Sequence, residues 1–391
     1  MRAVTWQGPE DVRTENVPDP QLREPTDAIV RITSTAICGS DLHLYSVLGM
    51  YMEPGDILGH EPMGVVEEVG SEVTAIVPGD RVVIPFNVSC GHCYMCRLNY
   101  YSQCETTQTP GHGGALLGYT KLYGHVPGGQ AEYLRVPQAH FGPIRVPDGL
   151  PDERFLFLSD VLPTAWQAVA DADVPPAGSV AVVGLGPIGQ MAARIALERG
   201  AGRVFGLDLV PERLEMARRH GVETVDVSAC DPVEAVRAET EGRGTDSVIE
   251  AVGMEAHGSP VGALAQRVVR ALPDPLARRM AEQAGVDRMS ALYLAFELVR
   301  RAGAVSISGV YGGQADPLPM MDLFDKAVQI RMGQANVRRW TDAIMPLLTG
   351  DEDPLGVGDL TTHVMSLDDA PLAYELFQQK RDGAIKMVLR P

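Results

Sequence analysis

The feature that most restricts how this chain can fold is a change of texture near Ser179. Ser179–Val183 is a short apolar run, and it passes directly into Gly184-Leu185-Gly186-Pro187-Ile188-Gly189. A buried strand that breaks on spaced glycines and restarts as a helix leaves few folds open. Gly184 permits a tight turn, Gly186 lets the backbone approach a bound group, and Gly189 lets the new helix lie close to the strand. Pro187 suits a first helical turn, where its missing N–H is not needed. The helix start then offers free N–H groups, with Ile188 among them, to a pyrophosphate. Beyond this turn the pattern alternates: helix 187–199, strand Arg203–Asp208, helix 211–220, then strands 246–252 and 304–310. That spacing predicts an α/β fold, a doubly wound parallel sheet with helices on both faces. Asp208 closes the second strand, 19 residues after Gly189. A carboxylate there can accept hydrogen bonds from ribose hydroxyls and repels a 2′-phosphate, so NAD is expected rather than NADP.

The residues before this unit read differently. Over the first ~150, short apolar stretches alternate with Gly and Pro punctuation such as Val77-Pro78-Gly79-Asp80, the pattern of a β-rich, irregular barrel. The expected organisation is a β-rich domain over 1–161 and 335–391, and a dinucleotide-binding domain over 162–334. Residues 254–301 interrupt the second domain with a stretch read as an inserted set of helices, either extra packing or a lid.

Composition narrows the function. The chain has 391 residues, 45% hydrophobic and 21% charged, and this is ample for a sizeable core. A net charge of −18 disfavours nucleic acid as a partner. No apolar run is long enough to span a bilayer, and the first residues lack a signal-peptide pattern, so a cytoplasmic protein without membrane attachment is expected. Lysine occurs only at positions 121, 326, 380 and 386, and no function attaches to that.

Six cysteines are too few for a secreted disulfide scaffold, and four of them crowd into one lobe, about 88–106. Cys90, Cys93, Cys96 and Cys104 have the ligand type and spacing of a closed tetrahedral zinc site, with an iron–sulfur cluster as the alternative. His92, between ligands, is expected to face solvent, and Cys230 to be a small buried side chain. A second, dispersed constellation is Cys38-Gly39-Ser40-Asp41-Leu42-His43 together with Gly59-His60-Glu61. It offers a thiol and an imidazole, a partial set for an open zinc site, although spacing alone does not link them. Asp41 reads as a structural residue.

The two cysteine motifs, Gly59-His60-Glu61, Gly129-Gln130-Ala131-Glu132-Tyr133 and the glycine turn with Asp208 together resemble the medium-chain zinc-dependent alcohol dehydrogenases, over nearly the whole chain. Leu158-Ser159-Asp160-Val161-Leu162-Pro163-Thr164 and Gly253-Met254-Glu255-Ala256-His257 resemble its formaldehyde dehydrogenase-like branch. The resemblance implies a GroES-like catalytic domain and a Rossmann coenzyme domain, with the active site in the cleft between them. It implies two zinc ions per subunit: a structural one on the four-cysteine lobe and a catalytic one on Cys38, His60 and Asp160. Glu61 matches the acid behind the catalytic zinc. Ser40 matches the hydroxyl that takes the alcohol proton, and His43 the outer end of the proton relay. For NAD it implies Thr164, Gly184, Gly186, Pro187, Ile188, Gly189, Asp208, Arg213 and Val310, with Lys386 at the pyrophosphate.

The implied activity is hydride transfer between a small alcohol, or an aldehyde hydrate, and NAD, by a homotetramer or a dimer. Two other readings remain open at this point. One is a formaldehyde dehydrogenase or dismutase with tightly held NAD. The other is a non-catalytic sensor of zinc and dinucleotide.

Overall fold

The computed structural model describes residues 1–46, 49–253, 289–311 and 318–391. They form two compact units, Met1–Pro163 with Ala335–Pro391, and Thr164–Gln334.

The first unit is built on a mixed sheet in the order His363–Ser366, Met387–Arg390, Ala28–Ile37, Glu61–Val69, Arg81–Val83 and Ile144–Arg145, with Tyr133–Val136 also pairing to Ala28–Ile37. All of these pairings are antiparallel except His363–Ser366 with Met387–Arg390. A smaller sheet joins Asp11–Asn16, Arg2–Gly8 and Asp56–Ile57. The long strand Ala28–Ile37 is buried at nearly every position, as a central strand should be, and Arg31 is its one exposed residue. Its register matters for function. Ala36 pairs with Glu61, and Ile37 pairs with Met387. Cys38, His60–Glu61 and Lys386 therefore leave the sheet side by side at one end of three neighbouring strands. Helix Gly39–Ser46 starts immediately after Cys38.

The second unit carries a six-stranded sheet in the order Glu223–Asp226, Arg203–Asp208, Ser179–Val183, Thr245–Glu250, Val299–Ile307, Gln329–Met332. Every pairing in it is parallel. The order reverses at Ser179–Val183: the next two strands add on one side and the later ones on the other. Such a switch point is where doubly wound sheets bind ligands, at the carboxyl ends of the strands. Helices Pro187–Glu198 and Pro211–Arg219 begin with proline, as expected of a first turn.

Three expectations need correction. The strand expected at 304–310 runs over Val299–Ile307, so 299–301 are strand rather than helix. The Arg300 guanidinium pairs with Asp246 at 2.7 Å, and Val299 sits in register with Thr245, so the neighbouring strand captures these residues. Helix Ser290–Leu298 precedes them, and the rest of the expected insertion, 254–288, lies outside the described residues. Cys230 is exposed rather than buried. It sits in the turn ahead of helix Pro232–Glu239, whose N-cap is Asp231, and its thiol reaches only the Asp226 carbonyl at 3.6 Å. Lys386, expected at a pyrophosphate, is fully buried in the first unit, for reasons given with the site below.

Phe205 anchors the second unit's core with Leu207, Val248, Phe296 and Val305 around it. Phe205→Ala should destabilise that unit by about 3–5 kcal/mol, the usual cost of emptying a packed aromatic site. Denaturant unfolding followed by far-ultraviolet circular dichroism measures this, and a loss below about 1 kcal/mol would contradict the packing described.

Candidate metal centre and coenzyme site

Cys38 Sγ, His60 Nε2 and Asp160 Oδ2 converge. The sulfur lies 3.4 Å from the Asp160 oxygen, which lies 3.4 Å from the His60 nitrogen. With Glu61 they form a group whose candidate ligand atoms all lie within 4.8 Å of one another. Each side chain arrives by a different route. The strand register delivers Cys38 and His60. Asp160 follows the short helix Leu156–Ser159, which the Phe86 N–H ties to the sheet through the Ser159 carbonyl at 3.1 Å. Residues this far apart in sequence could not be linked by spacing; the sheet brings them together.

Asp41 does more than the structural role expected of it. It is fully buried, and its Oδ2 accepts the Cys38 N–H at 2.9 Å, the back-reaching half of a capping box at the start of helix Gly39–Ser46. Its Oδ1 lies 3.0 Å from His60 Nδ1. That contact makes Nδ1 the protonated nitrogen and leaves the Nε2 lone pair facing Cys38 and Asp160, the tautomer a metal requires. The Cys38-x-x-Asp41 spacing carried this signal, because an acid three residues beyond a helix start commonly turns back on it.

Burial and charge show what the cluster lacks. Burial pushes the Cys38 thiol up to about 11, and Asp160 and Glu61 add to the effect. Burial also raises the Glu61 carboxyl, against the pull of Lys386. Glu61 Oε1 holds the Lys386 ammonium at 2.5 Å, whereas Oε2 is buried with no hydrogen-bond partner among the described residues. A thiol and two carboxyl groups, one with an orphaned oxygen, are thus gathered around His60, with Lys386 committed to Glu61. A divalent ion fits. A tetrahedron with bonds of ~2.0–2.3 Å has edges of roughly 3.3–3.8 Å, close to the separations found. Lys386 is committed to Glu61 beside the Phe157 ring, which is why it is not available as a surface contact for pyrophosphate.

Ser40 Oγ lies 3.4 Å from His60 Nε2, so its hydroxyl borders the same cluster. His43 is buried about one turn along that short helix, at the start of its last turn.

The cysteine lobe meets the same test. Cys90 and Cys96 sulfurs are 4.0 Å apart, as are those of Cys93 and Cys104, far beyond disulfide distance and close to the ~3.8 Å edge of a four-sulfur zinc site. The Cys93 N–H and the Thr106 hydroxyl point at Cys90 Sγ, at 3.3 and 3.1 Å, and the Cys90 N–H points at Cys104 Sγ at 3.4 Å. Donors aimed at sulfur suit thiolates. His92 is exposed and bonded to the Cys90 carbonyl, outside the sulfur set. A third grouping, Glu53, Asp56 and His125, is a surface ion-pair cluster that also contains Lys121.

In the second unit the glycine turn has the shape its sequence requires. Gly184 has φ +88, and a Cβ on Gly189 would stand 1.9 Å from the Gly184 carbonyl oxygen. Above Gly186 a Cβ would meet nothing nearer than Arg213 Nη1 at 3.9 Å, which leaves room for a phosphate group. Asp208 is buried at the strand end: Oδ2 accepts the Leu185 N–H at 2.7 Å, and Oδ1 accepts those of Leu209 and Val210. Arg213 stands 3.6 Å from it. Gln190, absent from the sequence-based set, pins the turn by donating to the carbonyls of Leu185 and Arg213. Thr164 lies on helix Val161–Ala172, and Val310 is half exposed beside Gly253.

Asp41→Ala should leave helix Gly39–Ser46 formed but weaken metal retention at the Cys38 cluster about 10- to 100-fold, the usual effect of removing the partner that orients a histidine ligand. Competition with a chromophoric chelator reads this; unchanged retention would show that Asp41 does not hold His60.

Residues 24–148 match the alcohol dehydrogenase GroES-like domain, and residues 187–267 match the zinc-binding dehydrogenase family. The chain is 40% identical to an uncharacterized zinc-type alcohol dehydrogenase-like protein of Bacillus subtilis, over the whole of both chains. It is 33% identical to a glutathione-independent formaldehyde dehydrogenase of Pseudomonas aeruginosa, over 96% of this chain and 94% of that one. Among solved structures, an alcohol dehydrogenase of Thermus sp. ATN1 superposes with a TM-score of 0.81 at 36% identity, covering 100% of this chain and 99% of the other.

Proposed function

The chain belongs to the medium-chain zinc-dependent alcohol dehydrogenase family, with a GroES-like domain and a Rossmann-type parallel sheet, and from that premise we propose that it oxidises a small alcohol or aldehyde hydrate with NAD. The observation that carries this reading is the buried triangle of Cys38, His60 and Asp160, with separations of 3.4 Å along two of its edges. These residues would hold zinc, and Cys90, Cys93, Cys96 and Cys104 would hold a second, structural zinc. When bound, the catalytic zinc supplies Lewis acidity to the substrate oxygen and NAD supplies the hydride acceptor.

The chain's own residues do the rest. Asp41 fixes the His60 tautomer. Ser40, at the edge of the cluster, accepts the substrate's hydroxyl proton, and His43 carries it outward. Glu61 and Lys386 form a buried, mutually neutralising pair behind the ligands and limit the negative charge that the substrate oxygen meets. Gly184, Gly186 and Gly189 with Pro187 and Ile188 bind the pyrophosphate, and Asp208 with Arg213 meets the adenosine ribose, with Thr164 and Val310 as further coenzyme contacts.

A formaldehyde dehydrogenase or dismutase with tightly held NAD is the second reading, supported by the formaldehyde dehydrogenase relative and by an aspartate in the ligand set. A cytoplasmic location accords with six free cysteines, and no described helix is long and apolar enough to cross a membrane. A homotetramer, or a dimer, accords with an edge of the second sheet that no described strand pairs. Strand Gln329–Met332 is exposed throughout, and Met320, Met321 and Phe324 beside it are also exposed.

Asp160→Ala tests the reading. It should reduce zinc from two to about one per subunit and lower kcat by orders of magnitude, whereas loss of a mere helix cap would cost about 1 kcal/mol of stability and spare both. Zinc analysis with steady-state kinetics decides; two zincs and near-normal kcat would overturn the assignment. Asp208→Gly should narrow or reverse the preference for NAD over NADP, because a carboxylate facing a 2′-phosphate costs roughly 1–3 kcal/mol. Equal kcat/KM for the two coenzymes in the unaltered protein would contradict this.

A further inference from the structure

The loop 118–125 is built against the metal cluster in a way that the proposed mechanism does not use. A Cβ on Gly118 would stand 2.5 Å from the Gly59 carbonyl oxygen and 2.7 Å from its nitrogen, so the loop backbone lies directly on the residue that precedes His60. The Gly118 N–H donates to Val126 and that of Leu117 to Phe86, at 2.9 and 3.0 Å. Thr120 is buried and caps the turn Lys121–Tyr123. Lys121 pairs with Glu53, and His125 with Asp56, fastening the turn to a neighbouring segment.

This framework fixes Tyr119. Its ring packs on the cluster that contains Leu42, Leu44 and Leu58. The Tyr123 ring meets it edge-on at 5.6 Å, and His112 backs Tyr123 at 5.6 Å. The groups whose charge Tyr119 feels include His60, Asp41 and Cys38. Burial pushes the phenol well above its usual range, so it remains a hydrogen-bond donor at neutral pH. Among the described residues its hydroxyl has no hydrogen-bond partner, in contrast to the buried Tyr374, which donates to Gln130 at 2.9 Å.

We propose that the Tyr119 hydroxyl is a positioning group that hydrogen-bonds a second hydroxyl of the substrate. The preferred substrates then carry oxygens on the same or adjacent carbons: aldehyde hydrates and vicinal diols. This inference rests on the oxidoreductase reading above. The reacting oxygen is directed to the Cys38, His60 and Asp160 cluster, and the backbone beside Tyr119 lies on Gly59, the residue before His60, so the second oxygen must be within a few bonds of the first. A monohydric substrate that displaces water from the phenol leaves it unpaired, whereas a second hydroxyl replaces that water.

The test uses the zinc-loaded, full-length protein with NAD and two matched pairs: methanol against formaldehyde hydrate, and 1-propanol against 1,2-propanediol. The wild type should favour the dihydroxy member of each pair. In Tyr119→Phe the ratio of kcat/KM, dihydroxy over monohydric, should fall about three- to tenfold, the effect of one neutral hydrogen bond. The loss should fall mainly on KM, because the bond is made equally in the bound and reacting states. Zinc content should stay that of the wild type, and Tyr94→Phe, on the exposed face of the cysteine lobe, should leave the ratio unchanged. An unchanged ratio in Tyr119→Phe, or an equal loss for both members of each pair, would overturn the proposal while leaving the oxidoreductase reading intact. Turnover of none of the four by the wild type would overturn that reading and the proposal with it.

Discussion

The chemistry of the first unit depends on one strand register. Pairing Ala36 with Glu61 and Ile37 with Met387 forces Cys38, His60 and Lys386 to leave three neighbouring strands at the same end. A slip of one residue would turn each of these side chains to the other face of the sheet. The register is held by a strand buried along nearly its whole length, so the hydrophobic packing that stabilises the sheet also aligns the ligands. The result is a concentration of acidic groups in a dry place. Carboxylates and thiols are not buried together without compensation, and Lys386 is already committed to Glu61. A divalent cation held by Cys38, His60 and Asp160 would supply it, and Asp41 orients the imidazole that would face it.

The second unit solves a different problem by different means. Its anion site needs backbone rather than side chains, so the crowding is at Gly184 and Gly189, while the space above Gly186 stays open. Asp208 holds the turn through the Leu185 N–H. In the proposed reading the same carboxylate would also set the coenzyme selectivity, which makes its replacement a test of both roles.

Much of this was legible in the sequence, and the parts that were not share a cause. The glycine turn is contiguous, and its strand and both flanking helices follow from short-range rules; Ser179–Val183 and Arg203–Asp208 lie where the pattern puts them. The four-cysteine lobe is local as well. The catalytic cluster is not local: Cys38 and Asp160 are 122 residues apart, and no periodicity connects them, so the resemblance to a family was needed to pair them. Lys386 is placed at the pyrophosphate by the resemblance alone, and its burial is not legible in the sequence because it depends on the strand Met387–Arg390 drawing it into the core. Cys230 departs from the usual burial of cysteine because a polar turn before a helix cap holds it at the surface. Asp41 reads as structural from its place between Ser40 and His43, and its second contact, to the metal-facing histidine, depends on the fold bringing His60 beside it.

The central claim is that two buried clusters in the first unit each hold a metal, one closed by four sulfurs and one formed by Cys38, His60 and Asp160. Anomalous diffraction at the zinc absorption edge, from crystals of the purified protein, tests it most directly. The account predicts two peaks in each subunit, one surrounded by Cys90, Cys93, Cys96 and Cys104 and the other bounded by Cys38 Sγ, His60 Nε2 and an Asp160 oxygen. A single peak confined to the cysteine lobe, with the Cys38 cluster free of metal in zinc-supplemented crystals, would contradict it.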